Sequence, residues 1–136
     1  MDSFSKEVRS QIMRCVKSKN TTPELLVRKM TYQMGFRYRL HRKDIPGSPD
    51  LAFIKRKKVI FVHGCFWHGH ERCKRATLPQ TNHDYWESKI KRNSDRDSSN
   101  LLKLEAMGWS SLIIWECELK EVEKVKLKIK CFLLSN

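Results

Sequence analysis

Apolar side chains in the first quarter of the chain recur at helical spacing, and the period then shortens to that of a strand. Residues 5–16 carry apolar side chains three and four positions apart, which predicts a first helix. A second helix is expected from Thr22, a capping residue followed by Pro23 at the first helical position, to Gly35. Residues 36–40 alternate apolar and basic side chains, which is typical of a half-buried strand with an Arg-bearing face.

Two short apolar runs in the middle of the chain predict a pair of buried strands. Residues 50–54 and 59–62 are rich in branched and aromatic side chains, and the basic stretch Lys55–Lys58 between them is expected to be a hairpin turn. Residues 64–82 show no regular period and are expected to be irregular.

The last third of the chain predicts a helix, a strand and a helix. A polar helix is expected over residues 84–107, in two pieces around residues 94–99, with Gly108 ending it. A strand over residues 109–115 and an amphipathic helix over residues 120–134 follow. This order of two helices, three strands, a helix, a strand and a helix is typical of a layered α/β fold with a mixed sheet. With 136 residues the chain is expected to be one domain.

The composition narrows the class of partner. Lys and Arg number 28 against 15 Asp and Glu, giving a formal charge of +13 and a pI near 9.8. Such an excess favours a polyanion, because phosphates neutralised by the protein release condensed counterions; a basic surface that only confers solubility is the alternative. The sequence contains no bilayer-length apolar segment and no signal peptide, so we expect an intracellular protein with reduced thiols.

Histidine and cysteine concentrate in one short segment. Three of the five His and two of the five Cys fall within residues 63–73, directly after a predicted strand. The odd number and uneven spacing of the cysteines favour metal binding over a disulfide framework. Zinc prefers four thiolate and imidazole ligands, although a single Cys is often only a small buried hydrophobic residue. His63 or His68 could replace His70 in the set. The predicted zinc ligands are Cys65, His70, Cys73 and Cys117.

Oxygen and imidazole groups near the same strand suggest phosphodiester chemistry. Asp50 could give Mg²⁺ its carboxylate, and the carbonyl group of Val62 could give it a backbone oxygen. His63 and His68 are candidates for positioning or deprotonating the attacking water, and Glu24 could reach the same waters. Both acidic residues also have an ordinary explanation: Asp50 could simply form a turn in its loop, and Glu24 is favoured in the first turn of any helix.

Two large apolar side chains, Phe66 and Trp67, lie in the polar loop between the candidate metal ligands. Proteins that distort DNA insert such side chains between base steps, at a cost of a few kcal/mol of unstacking. A mispair stacks less well, so insertion costs less there, and the protein can discriminate through deformability. The pair therefore suggests a DNA wedge.

The motifs of this chain resemble those of the very-short-patch repair (Vsr) endonucleases, which nick DNA at mismatches. The run His-Gly-Cys-Phe-Trp-His is highly specific for that family. The matching segments are Pro46–Asp50, Val59–His68, Tyr85–Ile90, Asn93 with Arg96–Asp97, Gly108–Trp109 and Ile114–Cys117.

The resemblance implies a restriction-endonuclease-like fold and Mg²⁺-dependent nicking of double-stranded DNA. The nick would lie on the 5′ side of the T in a T:G mismatch, the product of 5-methylcytosine deamination. A structural Zn²⁺ and a monomer acting with or without other repair proteins are also implied. The residues that match the family's catalytic and Mg²⁺-binding groups are Asp50, Val62, His63, His68 and Glu24. The residues that match its zinc ligands are Cys65, His70, Cys73 and Cys117.

The same resemblance extends to DNA contacts. Trp86 matches a third wedge residue beside Phe66 and Trp67. Met13 matches a residue that approaches from the opposite groove, so residues 5–16 would form a DNA-contacting arm. Lys89 and Asn93 are expected to meet phosphates or base edges, although ordinary packing explains Met13 and a solvated face explains Lys89.

Three other functions remain open from the sequence. A sequence-specific restriction-type nuclease would use the same chemistry on matched DNA. A non-catalytic, zinc-stabilised DNA-binding module would bind with the same salt dependence. A basic protein-interaction domain would bind partners other than DNA.

Overall fold

Four strands and three α-helices make up the part of the chain that the computed structural model describes, residues 21–135. The predicted first helix, residues 5–16, and Met13 within it lie outside the described residues. Two 3₁₀ helices, Lys74–Ala76 and Glu116–Lys120, complete the regular structure. The helices are α1 Thr22–Gln33, α2 His83–Ala106 and α3 Val122–Leu134, and the strands are β1 Arg39–Leu40, β2 Leu51–Phe53, β3 Lys58–His63 and β4 Ser110–Trp115.

The strands form one mixed sheet in the order β1-β2-β3-β4. β1 and β2 pair antiparallel, as do β2 and β3, whereas β3 and β4 pair parallel, with His63 opposite Trp115. A parallel pair needs a long crossover, and α2 provides it. The predicted mixed sheet is confirmed. As a result, the carboxyl ends of β3 and β4 lie at the same edge of the sheet.

Helices cover both faces of this sheet. Side chains alternate along β3, so Ile60 faces one cluster while Val59 and Phe61 face the other. The first cluster joins α1 and α3 to the sheet, and the second joins α2 to it. The first cluster comprises Val27, Met30, Leu51, Phe53, Ile60, Ile114, Val125, Ile129 and Leu133. The second comprises Ile45, Ala52, Val59, Phe61 and Leu104.

Three details differ from the sequence-based expectation. The polar helix is not broken around residues 94–99: α2 is a single helix of 24 residues. The cap of α1 is Thr21, whose hydroxyl oxygen lies 3.4 Å from the Glu24 nitrogen, so Pro23 occupies the second helical position. The predicted strand over residues 36–40 shrinks to the two exposed residues of β1.

No helix within residues 21–135 has both the length and the apolarity that crossing a bilayer requires.

Candidate active site and metal-binding cluster

The four predicted zinc ligands converge at the carboxyl edge of the parallel strand pair. Cys65, His70 and Cys73 come from the loop after β3, and Cys117 from the 3₁₀ helix after β4. Their ligand atoms all lie within 4.8 Å of one another, and Cys117 Sγ lies 3.5 Å from His70 Nδ1. Two thiolates and an imidazole from one loop, closed by a thiolate from the next strand, match the ligand types that zinc prefers. This cluster could therefore hold a structural zinc ion.

Cys65 is the buried member of this cluster. Its side chain is fully buried, and that burial raises the pKa of the thiol to about 12. A thiolate would be costly there without a positive charge, and metal binding removes the thiol proton. His70 stacks on Trp115 with ring centroids 4.1 Å apart, which fixes the imidazole that completes the set. The structure thus groups His70, rather than His63 or His68, with the three cysteines.

A second cluster lies on the neighbouring strands, around Asp50. Asp50 comes just before β2, and its Oδ2 accepts a hydrogen bond of 2.6 Å from the Val62 nitrogen on β3. Glu24 of α1 is buried beside it, and ligand atoms of Glu24, His41 and Asp50 lie within 4.8 Å of one another. Glu24 and Asp50 line a cavity of about 200 Å³ that also reaches the carboxyl end of β3. The cavity walls include Glu24, Gly47, Ser48, Asp50, Phe61, Val62, His63, His68, Asp97, Asn100 and Leu101.

The environment of Asp50 raises the pKa of its carboxyl group to about 7. Burial is the main cause and the nearby Glu24 adds to it, whereas the bond from Val62 and the charge of Arg28 act in the opposite direction. Glycine permits this arrangement: Gly47 has φ of +83°, and a Cβ there would meet the Phe61 ring at 2.9 Å. The loop can therefore fold tightly over β3 and bring Asp50 to Val62.

His63 and His68 face the same cavity from the other side. Their rings stack in parallel with centroids 3.8 Å apart, and His68 Nδ1 lies 2.6 Å from Asp97 Oδ2 on α2. Burial, together with the adjacent His68, lowers the pKa of His63 to about 4, although the charge of Asp97 acts in the opposite direction. Within the described residues, His63 Nδ1 is buried without a hydrogen-bond partner. At neutral pH His63 is thus an uncharged ring, and His68 is the imidazole that a carboxylate orients.

The predicted wedge residues form an aromatic cluster rather than projecting separately. The Phe66 and Trp67 centroids are 5.2 Å apart, and the Trp86 ring of α2 lies 5.5 Å from Phe66 and 5.9 Å from Trp67. All three side chains are half-buried. Asn93 donates a 2.9 Å hydrogen bond to the Trp67 carbonyl oxygen, and Lys89 Nζ lies 5.9 Å from the Trp67 ring centroid. Lys89 and Asn93, both predicted to contact DNA, therefore also contact the aromatic loop.

Sequence reasoning missed three residues of the site. Asp97 lies in a segment that matches the family. It is four residues after Asn93, so the two share one helix face, and this spacing is the only signal that could have pointed Asp97 toward the loop of His68. Arg28 is one turn beyond Glu24, where it resembles any surface ion pair. His41 lies in a polar loop, and no pattern in the sequence connects it to Glu24.

Comparison with known proteins adds a family to this geometry. Residues 1–75 match the family described as DNA mismatch endonuclease Vsr. A Type II nicking enzyme of Xanthomonas oryzae pv. oryzae, V.XorIIP, is 45% identical over 132 residues, covering 97% of this chain and 96% of the relative. The DNA mismatch endonuclease Vsr of Escherichia coli is 36% identical over 124 residues, covering 91% of this chain and 79% of the relative.

A solved structure agrees with the fold. The catalytic domain of homing endonuclease I-Bth0305I superposes with a TM-score of 0.58 at 24% identity, covering 85% of this chain and all of that domain. The likeness concerns the arrangement of the chain alone. It confirms the predicted restriction-endonuclease-like fold, a mixed sheet flanked by helices.

Proposed function

Because the chain belongs to the family of Vsr DNA mismatch endonucleases, we propose that it nicks duplex DNA on the 5′ side of the T in a T:G mismatch. One observation carries the proposal: an acidic pair, Asp50 and Glu24, and a carboxylate-oriented imidazole, His68, line one cavity beside the aromatic cluster. These groups can bind a hard cation, accept a proton and lie next to side chains able to enter a base stack.

We further propose that Asp50 and the carbonyl oxygen of Val62 hold a catalytic Mg²⁺. The residues fit this role, because the raised pKa of Asp50 reflects a buried carboxyl group whose ionised form a cation would stabilise. Mg²⁺ bound there would polarise the scissile phosphate and lower the pKa of a coordinated water. Glu24, held beside Asp50, would order the remaining waters of the ion.

Within this proposal, His68 acts as the general base. The Nδ1–H group of His68 donates a hydrogen bond to Asp97. This leaves Nε2 as the nitrogen that can accept a proton from water. The His63 ring stacks flat on the His68 ring and is uncharged near neutral pH. His63 therefore positions His68 without competing with it for the proton of the attacking water. Both residues were candidates for the same role, and the contact with Asp97 favours His68.

DNA recognition is proposed to use the aromatic cluster of Phe66, Trp67 and Trp86. Wedge insertion costs a few kcal/mol of unstacking, and a T:G pair offers less resistance than a matched pair. Phe66→Ala combined with Trp67→Ala is expected to retain zinc and nonspecific DNA binding while the preference for mismatched DNA falls at least about tenfold. The ratio of nicking rates on T:G and T:A duplexes that compete in one reaction checks this, and an unchanged ratio contradicts the wedge.

Strand nicking is the direct test of the function. Zinc-loaded protein is incubated with Mg²⁺ and end-labelled duplexes that differ only in T:G or T:A at one position, across a panel of flanking sequences, with Asp50→Ala in parallel. Nicking next to the mispaired T, lost in Asp50→Ala, is the expected result. Equal nicking of both duplexes would favour the second candidate, a nickase that recognises a sequence without a mismatch, and the similarity to the Type II nicking enzyme of Xanthomonas oryzae is the reason to keep this candidate. Binding without nicking in every context would favour a DNA-binding module.

A further inference from the structure

Glu24 is held by two side chains that the proposed chemistry does not use. Arg28, one turn along α1, places its Nη2 3.2 Å from Glu24 Oε2. The same nitrogen lies 2.9 Å from His41 Nε2, in the loop after β1. His41 Nε2 in turn lies 3.8 Å from Glu24 Oε2. The side chains of Glu24, Arg28 and His41 are 5%, 12% and 23% exposed, so water competes little for these contacts.

The direction of the bond between Arg28 and His41 is fixed by chemistry. A guanidinium group has no acceptor, so Arg28 donates and His41 Nε2 accepts with its lone pair. The contact engages the Arg28 nitrogen that also faces Glu24. An acceptor at this position therefore orients the guanidinium group against Glu24.

The backbone supports the same geometry from two sides. His41 adopts the left-handed conformation, with φ of 47°, which is uncommon for a residue with a side chain and persists where surrounding contacts favour it. Tyr38, three residues earlier, donates a 3.1 Å hydrogen bond from its hydroxyl to the Arg28 carbonyl oxygen. The residues on either side of β1 are thus attached to Arg28 of α1, Tyr38 at its backbone and His41 at its side chain.

We propose that Arg28 and His41 form one positioning pair that fixes the Glu24 carboxylate beside Asp50 and thereby sets the affinity of this site for a divalent cation. The inference rests on the proposed role of Asp50 in holding the metal. Two carboxylates so close repel each other, and a side chain free to rotate would carry Glu24 away from Asp50. The guanidinium group opposes that movement, and His41 keeps the guanidinium group in place. Neither residue needs to touch DNA or the reacting phosphate.

The test measures cation binding without DNA. Mn²⁺ serves as the probe, because it accepts the same carboxylate ligands as Mg²⁺ and enhances water proton relaxation when bound. Zinc-loaded wild type, Arg28→Met, His41→Leu and His41→Gln are titrated with Mn²⁺, and Asp50→Asn defines binding elsewhere on the protein. His41→Leu and His41→Gln place similar side chains on the same strained backbone, but only Gln offers an oxygen to Arg28.

The matched control is Arg42→Met, in the same loop as His41. Arg42 pairs with Asp44 at 2.7 Å on the exposed surface, and no contact links it to Glu24 among the described residues. This variant removes the same charge as Arg28→Met without touching the acidic pair. Its Mn²⁺ affinity is expected to match wild type within about twofold.

The pair predicts a distinct pattern of affinities. Arg28→Met and His41→Leu are each expected to weaken Mn²⁺ binding about tenfold, the size of effect typical of residues that orient metal ligands. His41→Gln should stay within about threefold of wild type. The double variant should be little weaker than either single one, because both changes break the same chain of contacts.

Other patterns overturn the inference. Unchanged Mn²⁺ affinity in Arg28→Met or His41→Leu would show that the pair does not act on the site. Equal losses of affinity in His41→Gln and His41→Leu would show that a hydrogen-bond acceptor at position 41 is not what matters. Thermal melting identifies any variant that does not fold. If Arg28→Met does not fold, the comparison of His41→Leu with His41→Gln tests the proposal. If wild type binds Mn²⁺ no better than Asp50→Asn, the proposed metal role of Asp50 fails as well; if binding follows the predicted pattern and T:G nicking fails, only the proposed reaction is overturned.

Discussion

At the scale of single residues, Asp50 is costly to ionise in the absence of a cation. Burial is the chief reason that its pKa reaches about 7 in the folded protein, whereas an unfolded chain has an Asp pKa of about 3.9. Between these two values the folded state holds a proton that the unfolded state has released. Without divalent metal, the free energy of unfolding should therefore fall as pH rises from about 4 to about 7.

Asp50→Asn removes this pH dependence, because the amide mimics the protonated carboxyl and can still accept the Val62 hydrogen bond. Relative to wild type, the variant should become more stable by about 1–2 kcal/mol as pH rises from 5.5 to 8. Urea unfolding of both proteins, zinc-loaded and free of Mg²⁺, measures the difference. Mg²⁺ should reduce it at pH 8, and a difference independent of pH would contradict the assignment.

Asp97→Asn tests the orientation of His68. The amide keeps the size of the side chain but is a weaker acceptor for the Nδ1 proton, so the base loses its preferred tautomer. We expect single-turnover nicking to slow about 100-fold with little change in DNA affinity. Asp95→Asn is the control, since Asp95 is exposed on the same helix. Comparable losses in the two variants would argue against a specific role for Asp97.

At the scale of elements, α2 shows why part of the site was invisible in the sequence. Its apolar positions suggested two pieces because residues 94–99 offer no apolar side chain, yet the helix is continuous. Its inward face carries Asn93, bonded to the aromatic loop, and Asp97, bonded to His68, before it reaches the buried Leu104. Polar residues that serve a site interrupt a hydrophobic pattern, so the period alone predicts a break.

Lys58 corrects a second expectation at this scale. The basic stretch Lys55–Lys58 was predicted to be a hairpin turn; residues 55–57 do lie in the turn, but Lys58 is buried as the first residue of β3. Its ammonium group caps α3, donating to the carbonyl oxygens of Phe132, at 2.6 Å, and Ser135 and to the Ser135 hydroxyl. A cation at a helix C-terminus is stabilising, and here it joins the last helix to the central sheet.

Lys58→Met should lower the free energy of unfolding by about 2–3 kcal/mol, because partly buried carbonyl groups at the end of α3 lose a charged donor. Urea denaturation of Lys58→Met and of Lys55→Met, whose side chain is exposed, makes the comparison. The control should change stability by less than about 0.5 kcal/mol. Equal effects of the two substitutions would show that the cap contributes nothing.

At the scale of the whole molecule, the metal cluster ties together segments far apart in the sequence. The sequence predicted that a cysteine after the last strand would reach the loop of the other ligands, and the ligand atoms do converge. That prediction was possible because three His and two Cys within residues 63–73 are an unusual concentration of metal-binding side chains. The order of strands had no comparable signal: only the structure shows that β3 and β4 are parallel neighbours, which is what places Cys117 beside Cys65.

Cys117→Ser should reduce the zinc content from about one equivalent to a small fraction and lower the melting temperature by about 10 °C or more, because the loop after β3 loses its tie to β4. Cys131→Ser is the matched control: Cys131 is exposed on α3 and takes no part in the cluster. Elemental analysis and thermal melting follow both variants. Full zinc content in Cys117→Ser would remove this residue from the ligand set.

The loop after β3 places three tasks on four consecutive residues. Trp67 belongs to the aromatic cluster, His68 bonds to Asp97, and His70 joins the cysteines, while Gly69 between them packs so closely on α2 that a Cβ would lie 2.7 Å from Ile90. If zinc fixes the His70 end of this loop and the proposed wedge enters DNA, a displacement of Trp67 by the stacked bases would be passed to His68, its neighbour in the chain. Discrimination would then appear in the nicking rate more than in DNA affinity. A matched duplex that does not admit the aromatic side chains would stay bound, but its phosphate would face a His68 ring that is out of position.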